Sequence, residues 1–243
     1  ADFLYSVVIN EEISRLGLTG IGWGLHTEIV APYIEHNGSE VLKQKYLPKM
    51  VTGELIGAIA MTEPGAGSDA LGSMATTARR DGDDFVLNGR KLFITNGPVA
   101  DVLLVYAKTD LARKQRGISA FIVENTFDGF SVAQKLDKMG WRGTTSTALN
   151  FGDKDNCVGY LVGKPHHGLS YMFQMMNEAR IGVGMGAVML GYAGYLYSLN
   201  YARERPQGGS RNLPQSFRAA PGGAVGLGEN GGNIESPRGD RFK

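Results

Sequence analysis

Six short candidate strands, most of them rich in apolar residues, follow one another between residues 55 and 151, and this succession constrains the fold more than any other feature. They cover residues 55–61, 85–87, 90–95, 102–109, 118–124 and 146–151. Runs of this length are typical of β-strands, and no helix-length pattern separates them. Asn88-Gly89 stands between the second and third runs and is typical of a two-residue hairpin turn. The sequence therefore predicts an antiparallel β-sandwich or barrel, not a parallel βαβ sheet.

Helical patterns lie on both sides of these runs. Before them, apolar residues recur near helical spacing at positions 9, 13, 16 and 21. Asn37-Gly38 is a stop signal, Ser39 is a candidate N-cap for the next helix, and Gly53 is its expected end. After them, residues 168–205 form a long helical pattern that Pro206 ends. The predicted fold class is therefore α+β.

Four segments follow from these patterns. We predict a partial N-terminal helical domain at residues 1–53, a middle β-domain at 54–164 and the start of a C-terminal helical domain at 165–206. Residues 207–243 are rich in glycine and proline and have no sustained periodicity. We expect that tail to be disordered or unrelated to the fold.

Charge and composition exclude several classes of partner. The net charge of +1 gives no electrostatic footprint for nucleic acid or an acidic membrane. No apolar run reaches the roughly 18 residues of a membrane span. The single cysteine, Cys157, permits no intrachain disulfide and favours a reducing compartment, and no targeting peptide is visible. The four histidines lack metal-ligand spacing, so no metal site is predicted.

The segment 62–69, Thr-Glu-Pro-Gly-Ala-Gly-Ser-Asp, follows the first apolar run and is the strongest candidate for ligand binding. Its glycines let the main chain approach a ligand closely, and Thr62 and Ser68 add hydroxyl groups. Such a segment is also compatible with an ordinary surface turn, because glycine and proline punctuate every protein. Composition alone leaves both interpretations open.

The same segment, taken with later motifs, resembles the acyl-CoA dehydrogenase family. The further motifs occur in the family's order at 88–97 (Asn-Gly-x-Lys-x-Phe-Ile-Thr-Asn-Gly), 138–142 (Lys-Met-Gly-Trp-Arg), 177–180 (Asn-Glu-Ala-Arg) and 201–205 (Tyr-Ala-Arg-Glu-Arg). The resemblance covers roughly residues 1–207. It implies a helical N-terminal domain, a β middle domain and a C-terminal helical bundle that together enclose FAD. Because the bundle is incomplete here, the chain is expected to be a fragment with an unrelated end.

The resemblance also implies a cofactor site. Thr62, helped by the backbone of Met61, would hydrogen-bond the pyrimidine side of the flavin. Phe93 takes the place of the family's usual tryptophan and would pack on the ring. Ile94 and Thr95 would approach the ring edge near N5. Taken alone, Phe93 is equally compatible with a core residue.

Substrate and neighbouring-subunit contacts follow in the same way. Ser68 would contact both the cofactor loop and the acyl-CoA, whereas Asn177 and Arg180 would face the CoA moiety. Arg205 and Gln207 match positions that reach the FAD of a neighbouring subunit. A planar guanidinium suits a phosphate, although Arg180 alone is equally compatible with a solvated helix residue.

The catalytic base is not identified by the sequence. Most family members take it from a glutamate late in the C-terminal bundle, where this chain no longer resembles the family. A minority take it from the position matched here by Ala179, which cannot act as a base. Glu178 is one residue earlier, about 100° around a helix. Glu235 lies in a faintly similar glycine-rich stretch, which we interpret as a chance likeness.

The implied function is FAD-dependent α,β-dehydrogenation of acyl-CoA thioesters to trans-2-enoyl-CoA. The implied partners are an acyl-CoA substrate, an electron-transfer flavoprotein and further copies of the chain in a homo-oligomer. The expected location is the bacterial cytoplasm, or the mitochondrial matrix in a eukaryote. Two alternatives remain: a catalytically inactive FAD- and CoA-binding fragment, and an acyl-CoA oxidase that passes electrons to oxygen. Acyl chain length and branching are not predicted.

Overall fold

The computed structural model describes residues 3–18, 20–153 and 156–204. It divides into two compact units. The first comprises residues 1–7 and 18–184 and contains the sheet. The second comprises residues 8–17 and, within the described chain, residues 185–204, and it is mainly helical. All candidate site residues that the structure describes lie in the first unit.

The described chain has helices at both ends and strands between them, which confirms the predicted α+β class. The helices are α1 (Phe3–Arg15), a π-helix (Leu25–Val30), α2 (Ala31–Asn37), α3 (Glu40–Thr52), α4 (Ala70–Ser73), a 3₁₀ turn (Lys114–Gly117) and α5 (Gly168–Glu204). The strands are β1 (Gly57–Ala60), β2 (Thr77–Asp81), β3 (Asp84–Thr95), β4 (Val102–Lys108), β5 (Ile118–Glu124), β6 (Phe130–Lys135), β7 (Ser146–Phe151) and β8 (Cys157–Val162).

The sheet curls on itself. Its main order is β1-β4-β5-β8-β3-β7-β6, and β2 pairs with both β3 and β4. The strands β4, β5, β8, β3 and β2 therefore close a ring, from which β1 extends on one side and β7 with β6 on the other. Most pairs are antiparallel, as predicted, but β1 lies parallel to β4. A parallel pair needs a long crossover connection, and here α4, β2 and β3 supply it.

The strands β4 and β5 are buried on both faces. Leu104 and Ile122 point into a core shared with α2, α3 and the first part of α5. Leu103 and Phe121 point the other way, into a second core among the strands. Burial on two faces explains why both strands are continuous apolar runs in the sequence.

The predicted hairpin at Asn88-Gly89 is wrong. Both residues lie inside β3, where Asn88 pairs with Thr77 and Gly89 pairs with Phe151. A Cβ on Gly89 would lie 2.7 Å from the Cα of Thr76, so this glycine serves close packing instead of a turn. The actual two-residue turn is at Gly82-Asp83, between β2 and β3, with Gly82 at φ +63°.

The helix-end signals are confirmed for α2 and α3, whereas Pro206, the end signal predicted for α5, lies outside the described residues. The α2 helix ends at Asn37, and the Ser39 hydroxyl caps α3 by accepting a hydrogen bond from the Leu42 amide at 3.4 Å. Gly53 ends α3 in the left-handed conformation at φ +78°. The long α5 covers the predicted 168–205 pattern up to Glu204. Within the described ranges, no helix is both long and apolar enough to cross a membrane.

Candidate functional site

The glycine-rich loop begins where β1 ends and is folded by its own backbone. Glu63 and Ala66 exchange two backbone hydrogen bonds of 3.0 and 3.1 Å, which form a tight turn. Asp69 then caps α4 by accepting a hydrogen bond from the Gly72 amide at 3.1 Å. Ser68, between the turn and the cap, is exposed.

The fold itself supplies no steric reason for Gly65, which lies in this turn, or for Gly67, which follows it. Neither has a positive φ, and a Cβ on either would meet no atom within 4 Å. An alanine would therefore fit both positions sterically. Because glycine has no side chain, the backbone at these two positions faces open space directly, and a ligand is able to approach it closely.

Thr62 joins the loop to β3. Its hydroxyl donates a short hydrogen bond to the Leu92 carbonyl, and the Leu92 amide donates to the Thr62 carbonyl at 2.9 Å. Because the hydroxyl hydrogen is used in this way, the oxygen is left to accept a hydrogen bond from a ligand. The loop and strand β3 are thus held together at the residue beside Phe93.

Strand β3 is interrupted beside this contact. Its register against β7 shifts between Lys91 and Ile94, which marks a β-bulge. Phe93 lies in the bulge at φ +64°, and its side chain is 63% exposed. Ile94 is buried, and Thr95, which pairs with Ser146, is half-buried. A left-handed conformation costs a bulky residue about 1–2 kcal/mol, so the bulge directs an aromatic ring outward against its backbone preference.

A buried ion pair lies beneath the loop and the bulge. The Lys91 ammonium is 2.9 Å from a Glu63 carboxylate oxygen, and the two side chains are 0% and 5% exposed. Lys91 also donates to the Met61 carbonyl at 2.9 Å. Glu63 accepts two more hydrogen bonds, from the amides of Ala75 at 2.6 Å and Thr76 at 3.0 Å.

The two charged groups respond differently to this environment. Burial alone would raise the pKa of Glu63, but the charge of Lys91 and hydrogen bonds from Thr76, Ala75 and Lys91 bring it below its ordinary value. Burial lowers the pKa of Lys91 to about 8, against the charge and hydrogen bond of Glu63. The difference arises because Glu63 has several donors and is not completely buried, whereas Lys91 has one charged partner.

Sequence reasoning assigned no role to either member of this pair. A signal was available at Lys91, because Phe85 and Leu87 are buried at alternate positions of β3 and Lys91 continues the same phase. A lysine on the inward face of a strand requires a buried partner. Nothing in the spacing identified Glu63, 28 positions earlier, as that partner.

The predicted CoA-facing residues lie on α5. Asn177 and Arg180 are both exposed, and an Arg180 nitrogen donates to the Asn177 side-chain oxygen at 3.0 Å. Ala179 is half-buried and packs against the helix-facing core. The side chain of Glu178 is outside the described structure, as are Arg205, Gln207 and Glu235 entirely.

The described contacts therefore bring together one part of the predicted site. Thr62 is linked to β3 directly, and Met61 is linked through Lys91. Asn177 and Arg180 form a separate hydrogen-bonded pair on α5. Nor do three or more His, Cys, Asp or Glu residues gather into a metal-binding group in the described ranges.

Comparison with known proteins gives the same family along most of the chain. The sequence model of the acyl-CoA dehydrogenase N-terminal domain matches residues 1–54, and that of the acyl-CoA dehydrogenase middle domain matches residues 58–154. The mitochondrial isovaleryl-CoA dehydrogenase of Pongo abelii is 42% identical over 212 residues, which are 86% of this chain and 50% of that protein. The chain thus spans about half the length of the curated relatives it matches.

Solved structures agree. The crystal structure of an acyl-CoA dehydrogenase from Geobacillus kaustophilus matches with a TM-score of 0.80 and 43% identity, over 90% of this chain and 59% of that one. An acyl-CoA dehydrogenase from Bacillus anthracis in complex with FAD matches with a TM-score of 0.75 and 39% identity, over 85% and 36%. The models of the family's N-terminal and middle domains match in order, and the fold is shared. The chain therefore belongs to the acyl-CoA dehydrogenase family.

Proposed function

We propose that this chain forms the FAD- and acyl-CoA-binding part of an enzyme that converts acyl-CoA thioesters to trans-2-enoyl-CoA. One observation carries the proposal: the loop that begins at Thr62 is hydrogen-bonded to β3 beside a bulge that turns Phe93 outward. A hydrogen-bonding edge and an exposed flat ring are thereby placed on adjoining segments. Those are the two contacts that an isoalloxazine ring needs.

The residues present fit FAD on steric and chemical grounds. Gly65 and Gly67 leave bare backbone beside open space, which suits the close approach of a bulky ligand. The Thr62 oxygen is able to accept from a ring N–H, and Met61 lies beside it. Phe93 offers a ring face without a polar group, and Ile94 and Thr95 continue the strand on which the ring edge would lie. FAD, when bound, supplies the acceptor for the β-hydride of the substrate.

The substrate would be held by Ser68 together with Asn177 and Arg180. The guanidinium of Arg180 has five N–H donors in a planar fork, and Asn177 accepts from one of its nitrogens. The others are suited to the phosphates or carbonyls of CoA. Asn177 in turn fixes the direction of the fork. We propose that this pair orients the CoA moiety, while Ser68 lies between substrate and cofactor.

The proton abstraction step needs a carboxylate, which we leave unassigned. Ala179 has no ionisable group and packs against the core, so the position used by a minority of the family does not serve here. This residue favours a second candidate function, an inactive protein that binds FAD and CoA without turnover. An oxidase would differ from a dehydrogenase only in passing the electrons to oxygen.

We further propose an electron-transfer flavoprotein as the electron acceptor and a homo-oligomer in which Arg205 and Gln207 reach the FAD of a neighbouring subunit. The location would be the cytoplasm in a bacterium or the mitochondrial matrix in a eukaryote. The mitochondrial and bacterial origins of the similar proteins support these two settings. The boundaries at residues 53, 164 and 206 are proposed as those of the functional domains.

A titration with FAD tests the binding proposal. Purified chain should quench flavin fluorescence, and Thr62→Ala should weaken the affinity by roughly 3- to 10-fold, the value of one hydrogen bond. Thr52→Ala is the matched control, because Thr52 is exposed at the end of α3 and bonds within its own turn. Absence of binding by the unmodified chain would reject the proposal.

Anaerobic addition of a short acyl-CoA to the FAD-loaded chain separates the functions. Loss of the flavin absorption band supports a dehydrogenase, and binding without that loss supports the inactive alternative. Repeating the reaction in air with a peroxide assay identifies an oxidase.

A further inference from the structure

We propose that the buried Glu63–Lys91 pair is a positioning device for the flavin, holding the Thr62 loop and the Phe93 bulge at a fixed separation. The proposal rests on the proposed FAD-binding function. Neither residue would touch the cofactor. Each would act through its neighbour in the chain, Glu63 through Thr62 and Lys91 through Leu92 and Phe93.

The geometry of the pair links the two segments at their bases. Glu63 immediately follows Thr62, and Lys91 is the last residue in regular register with β7 before the bulge, opposite Leu149. The 2.9 Å contact between their charged groups therefore ties the start of the loop to the start of the bulge. The bond from Lys91 to the Met61 carbonyl adds a second tie from the same ammonium.

The carboxylate also closes the loop on itself. Glu63 accepts from the amides of Ala75 and Thr76, which lie beyond α4. One side chain thus binds both ends of the stretch 63–76. Since the loop is anchored from below, its outer surface at Gly65 and Gly67 is left for a ligand.

Stability alone is a weak reason for such a pair. Two buried charges lose much of their hydration, and apolar side chains of similar volume often serve the fold equally well. What an ion pair with several directed hydrogen bonds adds is a defined distance and orientation. A flavin site needs that precision, because cofactor contacts depend on supporting residues that lock the contacting ones.

Two variants that keep side-chain volume test the proposal: Lys91→Met and the double variant Glu63→Gln/Lys91→Met. FAD affinity should fall by about 10- to 100-fold, as it does when supporting partners around a bound metal are replaced. The absorption band of the bound flavin should also change shape. Lys45→Met is the control, because Lys45 pairs with Glu124 at 2.6 Å between α3 and β5. That variant should bind FAD within about twofold of the unmodified chain.

A measurement without FAD supplies an independent readout. In the cofactor-free double variant, amide hydrogen exchange at Ala75, Thr76 and Leu92 should be faster, while exchange in β5 stays unchanged. A role only in folding would raise exchange throughout the sheet and leave the bound-flavin spectrum unaltered.

The outcomes separate this inference from the function on which it rests. If the unmodified chain binds no FAD, both are wrong. If the unmodified chain binds FAD and the folded double variant binds it with equal affinity and spectrum, the positioning role alone is overturned. Should Lys91→Met fail to fold, the double variant carries the test, because it leaves no buried charge unpaired.

Discussion

Phe93 and Ile94 are consecutive residues with opposite surroundings. The side chain of Phe93 is 63% exposed, whereas that of Ile94 is 2% exposed and packs in the core among the strands. Lys91 continues the inward phase of β3, so in a regular strand Phe93 would point inward and Ile94 outward. The bulge adds a residue that the partner strand does not match and so exchanges the two orientations. The exposed ring therefore lies at a position where the backbone would favour glycine, and packing in the core does not account for it.

Replacing Phe93 by glycine should separate stability from binding. The change removes a left-handed strain of about 1–2 kcal/mol and adds about 0.5–1 kcal/mol of unfolded-state entropy. Little buried surface is lost, so the free energy of unfolding should change by less than about 1 kcal/mol in either direction. FAD affinity should fall in the same variant. Urea denaturation and flavin fluorescence titration measure the two quantities.

Phe121→Ala supplies the comparison, because Phe121 is fully buried. That variant should lose about 3–5 kcal/mol of unfolding free energy. A loss of that size in Phe93→Gly would mean that Phe93 serves the core, and unchanged FAD affinity would remove its proposed contact with the flavin.

The Glu63–Lys91 pair should show strong thermodynamic coupling. Either Glu63→Gln or Lys91→Met leaves a buried charge without its partner, which should cost about 3–5 kcal/mol of unfolding free energy. The double variant leaves neither charge, so it should cost clearly less than the sum of the single changes. Chemical denaturation of all four proteins at pH 7 measures the coupling.

Lys45→Met and Glu124→Gln form the parallel cycle. Lys45 is 46% exposed and Glu124 is 24% exposed, so water screens their attraction. Their coupling should be below about 1 kcal/mol. Additive effects at Glu63 and Lys91, equal to those of this exposed pair, would contradict the interpretation of the buried contact.

Acid should weaken the fold through Glu63. Its pKa in the folded protein lies below the ordinary value of 4.5, because the charge of Lys91 and the hydrogen bonds around it outweigh burial. The stabilisation is therefore present above about pH 4.5 and is lost as the pH falls through the folded pKa. The difference in unfolding free energy between the unmodified chain and Glu63→Gln should shrink over that range. A difference that stays constant from pH 6 to pH 3 would show that the carboxylate charge contributes nothing.

Much of the fold was predictable from local patterns. The bounds of β5 and β7, the caps of α3 and the extent of α5 followed from apolar runs, one serine and one glycine. The strands β2, β6 and β8 were not predicted. The first two expose most of their residues, so neither shows an apolar run. The turn prediction at Gly89 is wrong because a glycine is needed there for close packing against Thr76, a contact between strands that a local pattern does not show.

Within the candidate site, only the residues that belong to recognisable sequence motifs were predictable. The positions of Thr62 and Phe93 on adjoining segments agree with the resemblance, but their roles toward FAD remain predictions. The strain at Phe93 and the pairing of Glu63 with Lys91 depend on strand register across the sheet. A single sequence does not show where a strand bulges, and it does not show which inward-facing charged residues pair with each other.

His26 shows the same dependence on tertiary context and leads to a last prediction. It was noted only as one of four histidines, yet it is buried in the π-helix between two backbone groups. The Gly57 amide lies 2.9 Å from its Nδ1, and the Met50 carbonyl lies 3.0 Å from its Nε2. An amide only donates, so Nδ1 accepts and Nε2 carries the hydrogen. The imidazole thus joins the end of α3 to the first residue of β1.

His26→Ala should destabilise the protein by about 2–4 kcal/mol, because it leaves a buried amide and a buried carbonyl without partners. His26→Gln should recover part of this loss, since its side-chain amide both accepts and donates. The control is His36→Ala, where an exposed ring bonds to the Pro32 carbonyl of its own helix and the loss should stay below about 1 kcal/mol. Equal unfolding free energies for the alanine variants at 26 and 36 would show that the bridge between α3 and β1 is not needed. We expect the larger loss at position 26, because the His26 ring holds the start of β1, the strand that leads to Thr62, against the end of α3.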